Sequence, residues 1–242
     1  MMAGLADGAA ARRAARWAGA FYLVIMVGAI FAEAVVRGGL VVSGDAAATA
    51  AKISASQDLW RWGVLADVAV AIGDVAVGVL LFLLLAPVSK ALSFGAAAFR
   101  LVYSAVILAN AGLFLVPVLL VGNLDGKSAA EAAQAMGLAM YSLRLHTAIF
   151  AIGLMLFGLH LVMVGALVAK AKFLPRVLGW ALGFAGVCYV VNSALGIVAP
   201  SVASGLFPWI LLPGFLAEGT LTLWLLIAGV KAQAWDAQNQ GR

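Results

Sequence analysis

Eight residues of this 242-residue chain have types that could do chemistry and stand where such groups are unfavourable. Asp74, Arg100, His160 and Glu218, together with Glu33, Asp67, Arg144 and His146, all lie within or at the ends of long apolar runs. Counting about 1.5 Å of helix rise per residue puts Asp74 and Glu218 about 20 Å from one end of their runs, and Arg100 and His160 about 15 Å. Those depths fall near the middle of a hydrocarbon layer about 30 Å thick. The same counting puts Glu33 at about 25 Å, Asp67 at about 30 Å, and His146 and Arg144 beyond about 35 Å, an outer layer. Each layer then holds two carboxylates, one arginine and one histidine.

A charged side chain near the centre of a spanning helix costs roughly 2.5 to 3.5 kcal/mol, so the midplane group left unpaired would cost on the order of 10 kcal/mol. Pairing inside a bundle is therefore expected, with Arg100 anchoring Asp74 or Glu218. With neutral histidines each layer carries one negative charge too many. That excess is balanced by a protonated histidine, a protonated carboxyl or a bound cation, and at the midplane His160 is expected to decide it. Asp67 and Asp74, seven residues apart, return to within about 20° of one helix face. The bland alternative is that arginine–carboxylate pairs clamp helices, as Glu33 and Arg37 would at i,i+4 spacing.

Other chemistries are narrowed by counting. His146 and His160 are the two histidines of the chain, so bis-histidine haem ligation across two of its helices is excluded. They stand about 21 Å apart along a helix, too far to share a zinc ion. A site joining His160 to Asp74 and Glu218 stays geometrically open. For an intramembrane hydrolase or lipid-modifying enzyme, His160 would be the base, and Ser104 and Tyr103 are the hydroxyls nearest Arg100 in sequence. No nucleophile elbow, phosphate loop or dinucleotide fingerprint appears, and no cofactor is expected.

The elements that must position these residues follow from composition. The chain is 65% hydrophobic and 10% charged, with a mean hydropathy of +1.11. A soluble domain carries about 25% charged residues, so a water-facing surface cannot be built from this chain. Six runs reach the roughly 20 apolar residues a spanning helix needs: 17–36, 62–86, 91–121, 145–169, 175–199 and 207–230. Barrel strands would show alternating segments of about 10 residues, so the fold class is all-α, a six-span polytopic bundle. The expected organisation is an N-terminal segment 1–16, a transmembrane domain 17–230 and a C-terminal tail 231–242.

Nine Lys and Arg flank the spans on one side (Arg12, Arg13, Arg16, Lys90, Lys170, Lys172, Arg176, Lys231, Arg242) and four on the other (Arg37, Lys52, Arg61, Lys127). By the positive-inside rule both termini are expected to face the cytoplasm. The net charge of +5 is thus a topology signal, and no nucleic-acid partner is expected. The first apolar run is too long for a cleaved signal peptide. Cys188 has no second cysteine to bond. Asp45, and Ser128 three residues before Glu131, are helix-start signals that predict short interfacial helices in the two outer loops. Gly179 and Gly183 form a GxxxG pair, Asn110 and Asn192 are candidate interhelical hydrogen-bonders, and Pro213 is expected to kink the sixth span before Glu218.

Several stretches carry a family resemblance: AEAVVRGGL closing the first span, AAAFRLVYSA around Arg100, the fourth-span block ending FGLHLVMVGAL, FLPRVLGWALGFAGVCYVV in the fifth and AEGTLTLWLLIAGVK in the sixth. Together they resemble the bacterial membrane proteins grouped as domain of unknown function 4386. The resemblance covers nearly the whole chain, and it implies a multi-span membrane protein with Glu33, Arg100, His146, His160 and Glu218 as motif positions. Asp74 is not a position that this pattern supplies. The leading functional expectation is a receptor, sensor or transporter-like module whose polar interior binds a small molecule, a cation or a proton. The alternatives are the intramembrane enzyme and a structural partner. Expected partners are the lipid bilayer, a small-molecule or cationic ligand, and a second copy or another membrane protein.

Overall fold

The computed structural model describes residues 4–122, 124 and 126–241. Arg242, counted above among the basic residues of one side, lies outside them. Among the described residues the regular structure is entirely helical. Six helices are long and apolar enough to cross a membrane. They are α1 (Gly8–Leu40), α3 (Gln57–Leu85), α4 (Lys90–Val121), α5 (Ala129–Lys170), α6 (Arg176–Val198) and, after a 3-10 turn at Trp209–Leu211, α8 (Leu212–Ile227). Shorter helices are α2 (Ala46–Ala55), α7 (Pro200–Leu206) and α9 (Ala232–Gln240).

Each boundary has a local cause. Asp45 caps α2, its carboxylate accepting from the Ala48 amide at 2.8 Å. Ser128 and Glu131 close the capping box that opens α5, the Glu131 carboxylate accepting from the Ser128 amide at 2.8 Å and from its hydroxyl at 2.7 Å. The helix begun there runs without a break into the fourth span, 42 residues in all, so this outer-loop helix and the span are one element. Pro213 sits in the first turn of α8, where a missing amide hydrogen loses no helical bond. It starts the helix, and the expected kink before Glu218 is replaced by a helix start. Within α1, Phe31–Arg37 winds as a π-helix, and the Gly38 amide reaches back five residues to the Glu33 carbonyl.

The chain forms two units, with α1, α3, α4 and α5 each contributing a stretch to both. Unit 1 comprises residues up to 23, 73–104 and from 151 on; unit 2 comprises 24–72 and 105–150. Unit 2 has a core of Val36, Ile53, Trp60, Phe114, Val118 and Leu143, with the Trp60 indole N–H donating to the Phe114 carbonyl at 2.7 Å. In unit 1, α5 and α6 meet through glycines. A β-carbon at Gly186 would come within 2.5 Å of the Gly158 carbonyl oxygen, one at Gly165 within 2.7 Å of the Gly179 carbonyl oxygen, and one at Gly179 would overlap the Ala169 main chain. The close approach therefore uses Gly158, Gly165, Gly179 and Gly186, whereas a β-carbon at Gly183 would meet nothing within 4 Å.

The segment after residue 230 is a helix pinned to unit 1. The buried Trp235 donates from its indole to the Leu84 carbonyl at 3.0 Å, and the Asp236 carboxylate accepts from the Gly8 amide at 2.7 Å. The outer faces of the spans are apolar. On α6 alone Val177, Trp180, Phe184, Val187, Val191 and Val198 are exposed. Such continuous apolar surface is solvated by lipid, so the protein is a multi-pass membrane protein in contact with the bilayer.

Candidate functional site

The most buried spans are α3 and α5, followed by α4, and these three carry Asp74, His160 and Arg100. All three residues are at most 1% exposed, and the structure brings them together in unit 1. Arg100 pairs with the Asp74 carboxylate through its terminal nitrogen and donates from Nε to the Asp74 carbonyl at 3.2 Å. Its other terminal nitrogen lies 2.7 Å from the Tyr22 hydroxyl and 3.1 Å from His160 Nε2. The guanidinium carbon is 4.6 Å from the centre of the Tyr22 ring and 5.1 Å from that of Phe157, which is cation–π geometry. The aliphatic stem of Arg100 passes Gly78, one turn after Asp74, at a distance where a β-carbon would make ordinary contact.

Hydrogen-bond partners settle the state of His160. Its Nδ1 lies 2.8 Å from the Ala96 carbonyl, which can only accept, so Nδ1 carries the proton. Its Nε2 faces Arg100, which can only donate, so Nε2 presents the lone pair. His160 is thus the neutral Nδ1–H tautomer, and the balancing charge expected of it must come from elsewhere. Asp74 and Arg100 cancel one another. The void lined by Gly78, Ser93, Ala96, His160 and Val164 is too narrow to hold a water.

Glu218 stands apart from this ion pair. Its Oε1 accepts from the Tyr189 hydroxyl at 2.9 Å, and Tyr189 lies directly over Gly214, where any β-carbon would overlap its hydroxyl. The Tyr189 ring is 6.1 Å from the Phe157 ring, on which Arg100 also lies, so Glu218 is near enough to feel the Arg100 charge while its hydrogen bond goes to Tyr189. Among the described residues the ion pairs are Arg37 with Glu33, Arg37 with Asp67, and Arg100 with Asp74, and Glu218 is in none. No three of the described His, Cys, Asp and Glu residues converge as metal ligands would.

The outer group lies in unit 2 and is organised by Arg37. Its guanidinium takes the Asp67 carboxylate with two nitrogens, at 2.7 and 3.3 Å, and the Glu33 carboxylate at 2.6 Å, while lying 4.5 Å from the centre of the Phe114 ring. The Glu33 side chain is 74% exposed, so its charge is met by solvent or headgroups. His146 and Asn110 lock α5 to α4 reciprocally: His146 Nδ1 donates to the Asn110 carbonyl at 3.2 Å, and Asn110 Nδ2 donates to the His146 carbonyl at 3.0 Å. Arg144, expected in this group, is exposed on α5, and Arg37 holds the place foreseen for it.

A profile described as domain of unknown function (DUF4386) matches residues 17–229, nearly the whole membrane region. The chain belongs to the DUF4386 family. An uncharacterized protein of Archaeoglobus fulgidus is 29% identical over 161 residues, 65% of this chain and 78% of that protein. The expected bacterial grouping therefore has an archaeal relative. No solved structure matches.

In this DUF4386 chain the residues that sequence reasoning missed are tyrosines. Tyr22 and Tyr189 are buried inside the spans and partner Arg100 and Glu218. The available signal was weak: a buried tyrosine hydroxyl needs a polar partner, and the ionisable groups at similar depth were the candidates.

Proposed function

We propose that this protein is a membrane module that binds a proton, or in its place a small cation, at the Glu218 carboxyl. The observation that carries this reading is the asymmetry between the two midplane acids. Asp74 has an arginine, and Glu218 has a tyrosine hydroxyl. A carboxylate in hydrocarbon without a cation is strongly disfavoured, whereas a neutral carboxyl beside a hydroxyl is tolerated. The Arg100 group, saturated by protein partners and without free volume, serves as the fixed clamp against which the Glu218 site is held. His160 keeps its proton on the Ala96 carbonyl and its lone pair on Arg100, so it is not offered as a base, and the enzymatic alternative gains nothing from it.

Infrared spectroscopy of the purified chain tests the assignment. A protonated-carboxyl C=O band is expected that disappears reversibly on alkalinisation, is absent in Glu218→Gln and is displaced in Tyr189→Phe. If Glu218→Gln keeps the whole band, the proton is elsewhere and this reading fails.

The cell membrane is the proposed location, with both termini cytoplasmic. Support comes from the basic residues: nine flank the spans on the side of the termini and four on the other. With Cys188→Ser as background, Ser128→Cys is expected to react with a membrane-impermeant thiol reagent in intact cells, and Lys172→Cys only after lysis. Reaction of both in intact cells would reverse the assignment of the spans between them.

A further inference from the structure

Where α1 begins, α8 ends and α9 starts, unit 1 carries a half-open cavity of about 330 Å³. Phe173, Leu174, Trp224 and Val230 give it apolar walls, and Arg12 and Lys231 stand on its lining. Both cations belong to exposed residues, and neither is in an ion pair among the described residues. Lys231 is also the N-cap residue of the nine-residue α9, and its side chain caps nothing. The first amides of α9, with Ala232 on the cavity lining, are thus left without helical partners, at the positive end of the helix dipole.

The cavity is built in advance. Gly229, at φ +65°, makes the turn from α8 into α9 in a conformation that L side chains rarely adopt. Across this turn the Lys231 amide donates to the Phe173 carbonyl at 3.3 Å. Trp235 and Asp236 hold α9 down behind it.

Two cations without ion-pair partners and a free helix N-terminus on one cavity select an anion, and a phosphate group suits donors of this kind. The apolar walls and the interfacial Trp224 exclude a fully hydrated ion as the natural occupant and fit a ligand with an apolar side. The position agrees: α8 ends at Ile227 and Arg12 precedes the apolar run that begins near Trp17, which is the level of lipid headgroups. About 330 Å³ lies at the small end of ligand cavities, room for a phosphate and glycerol but not for acyl chains. We infer that this cavity is a binding site for the phosphate group of an anionic phospholipid, held between Arg12, Lys231 and the start of α9, with the glycerol along Trp224 and Leu174 and the acyl chains in the bilayer. A soluble phosphate ester offers the same anionic chemistry, and the test separates the two sources.

The experiment uses the full chain in a neutral detergent, with thermal unfolding followed as phosphatidylglycerol, phosphatidylcholine or glycerol phosphate is added. Saturating phosphatidylglycerol is expected to raise Tm by about 5 °C or more, and phosphatidylcholine to leave it in place. Arg12→Gln with Lys231→Gln is expected to weaken phosphatidylglycerol binding about tenfold or more. Arg13→Gln with Lys172→Gln, which removes the same charge from residues equally exposed but off the cavity lining, is expected to bind as the wild type does. Native mass spectrometry counts lipids on folded chains, so a lower starting Tm of a variant does not obscure the comparison. Equal binding by the Arg12/Lys231 pair and wild type, or an equal rise with phosphatidylcholine, overturns the site. A full shift from glycerol phosphate alone assigns the cavity to a soluble phosphate ester and overturns the lipid as its occupant.

Discussion

Arg100→Ala is expected to destabilise the purified protein by about 3 to 5 kcal/mol, the range for removing one partner of a buried pair. Removal strands three groups at once. The Asp74 carboxylate loses its counter-charge, the Tyr22 hydroxyl loses its donor, and His160 Nε2 faces nothing that can donate to it. The void beside the group is too narrow for a water, so none is in place to solvate the stranded groups. Adding Asp74→Asn to Arg100→Ala should recover part of the loss, because the uncompensated charge is gone. A double-mutant cycle in mixed micelles is expected to give a coupling of about 2 kcal/mol or more between Arg100 and Asp74, and a clearly smaller one between Arg100 and Glu218, which it does not pair with. Equal coupling to both acids would mean that Arg100 serves Glu218 as well, and would remove the asymmetry on which the proton site rests.

The second large effect is steric. Gly179→Ala places a methyl group into the Ala169 main chain, where a flexible side-chain end is not available to give way. Separation of α5 from α6 is the only relief, and a loss of about 3 kcal/mol or more is expected, at or above the usual range for overpacking. Gly183→Ala, four residues on, meets open space and should be neutral or slightly stabilising, since alanine is the better helix former by about 1 kcal/mol. Unfolding of the two variants side by side checks this. A similar loss for both would show that Gly183, too, faces a partner, as in association with a second chain through the GxxxG pair.

The two glycines also show what a sequence can and cannot convey. Spacing identified a small-residue pair on the fifth span, but which glycine touches a neighbour depends on the rotation of that helix, and 1.5 Å per residue measures depth alone. The same limit explains Arg144. Depth counting put it level with His146, yet its face of α5 is exposed, while Arg37, read as half of a surface pair with Glu33, turns inward to Asp67. That Arg100 would take a carboxylate of its own depth was legible, but Asp74 and Glu218 stood equally deep, and only the packing decides for Asp74. Tyr22 and Tyr189 were not legible, since no spacing links a hydroxyl on one helix to an ion on another. The six spans and the capping signals of Asp45 and Ser128 were legible because each is a local property of the chain. The continuity of α5 was hidden because its alanine-rich first turns, interrupted by Glu131, Gln134 and Arg144, fall short of the apolarity of a span, although alanine is the best helix former.

The π-helical turn at Phe31–Arg37 sets the phase of the outer arginine. A π-turn holds one residue more than the α-turn it replaces, so the chain after it is slipped by one position against the chain before it. Rewinding the same residues as α-helix, with none removed, would swing the following positions by about 100° around the axis. Arg37 would then point away from Asp67 while keeping its place in the sequence and its height in the bilayer. The outer ion pair thus depends on a winding as well as on two residue types: the wide turn takes up the one residue that would otherwise carry Arg37 past Asp67.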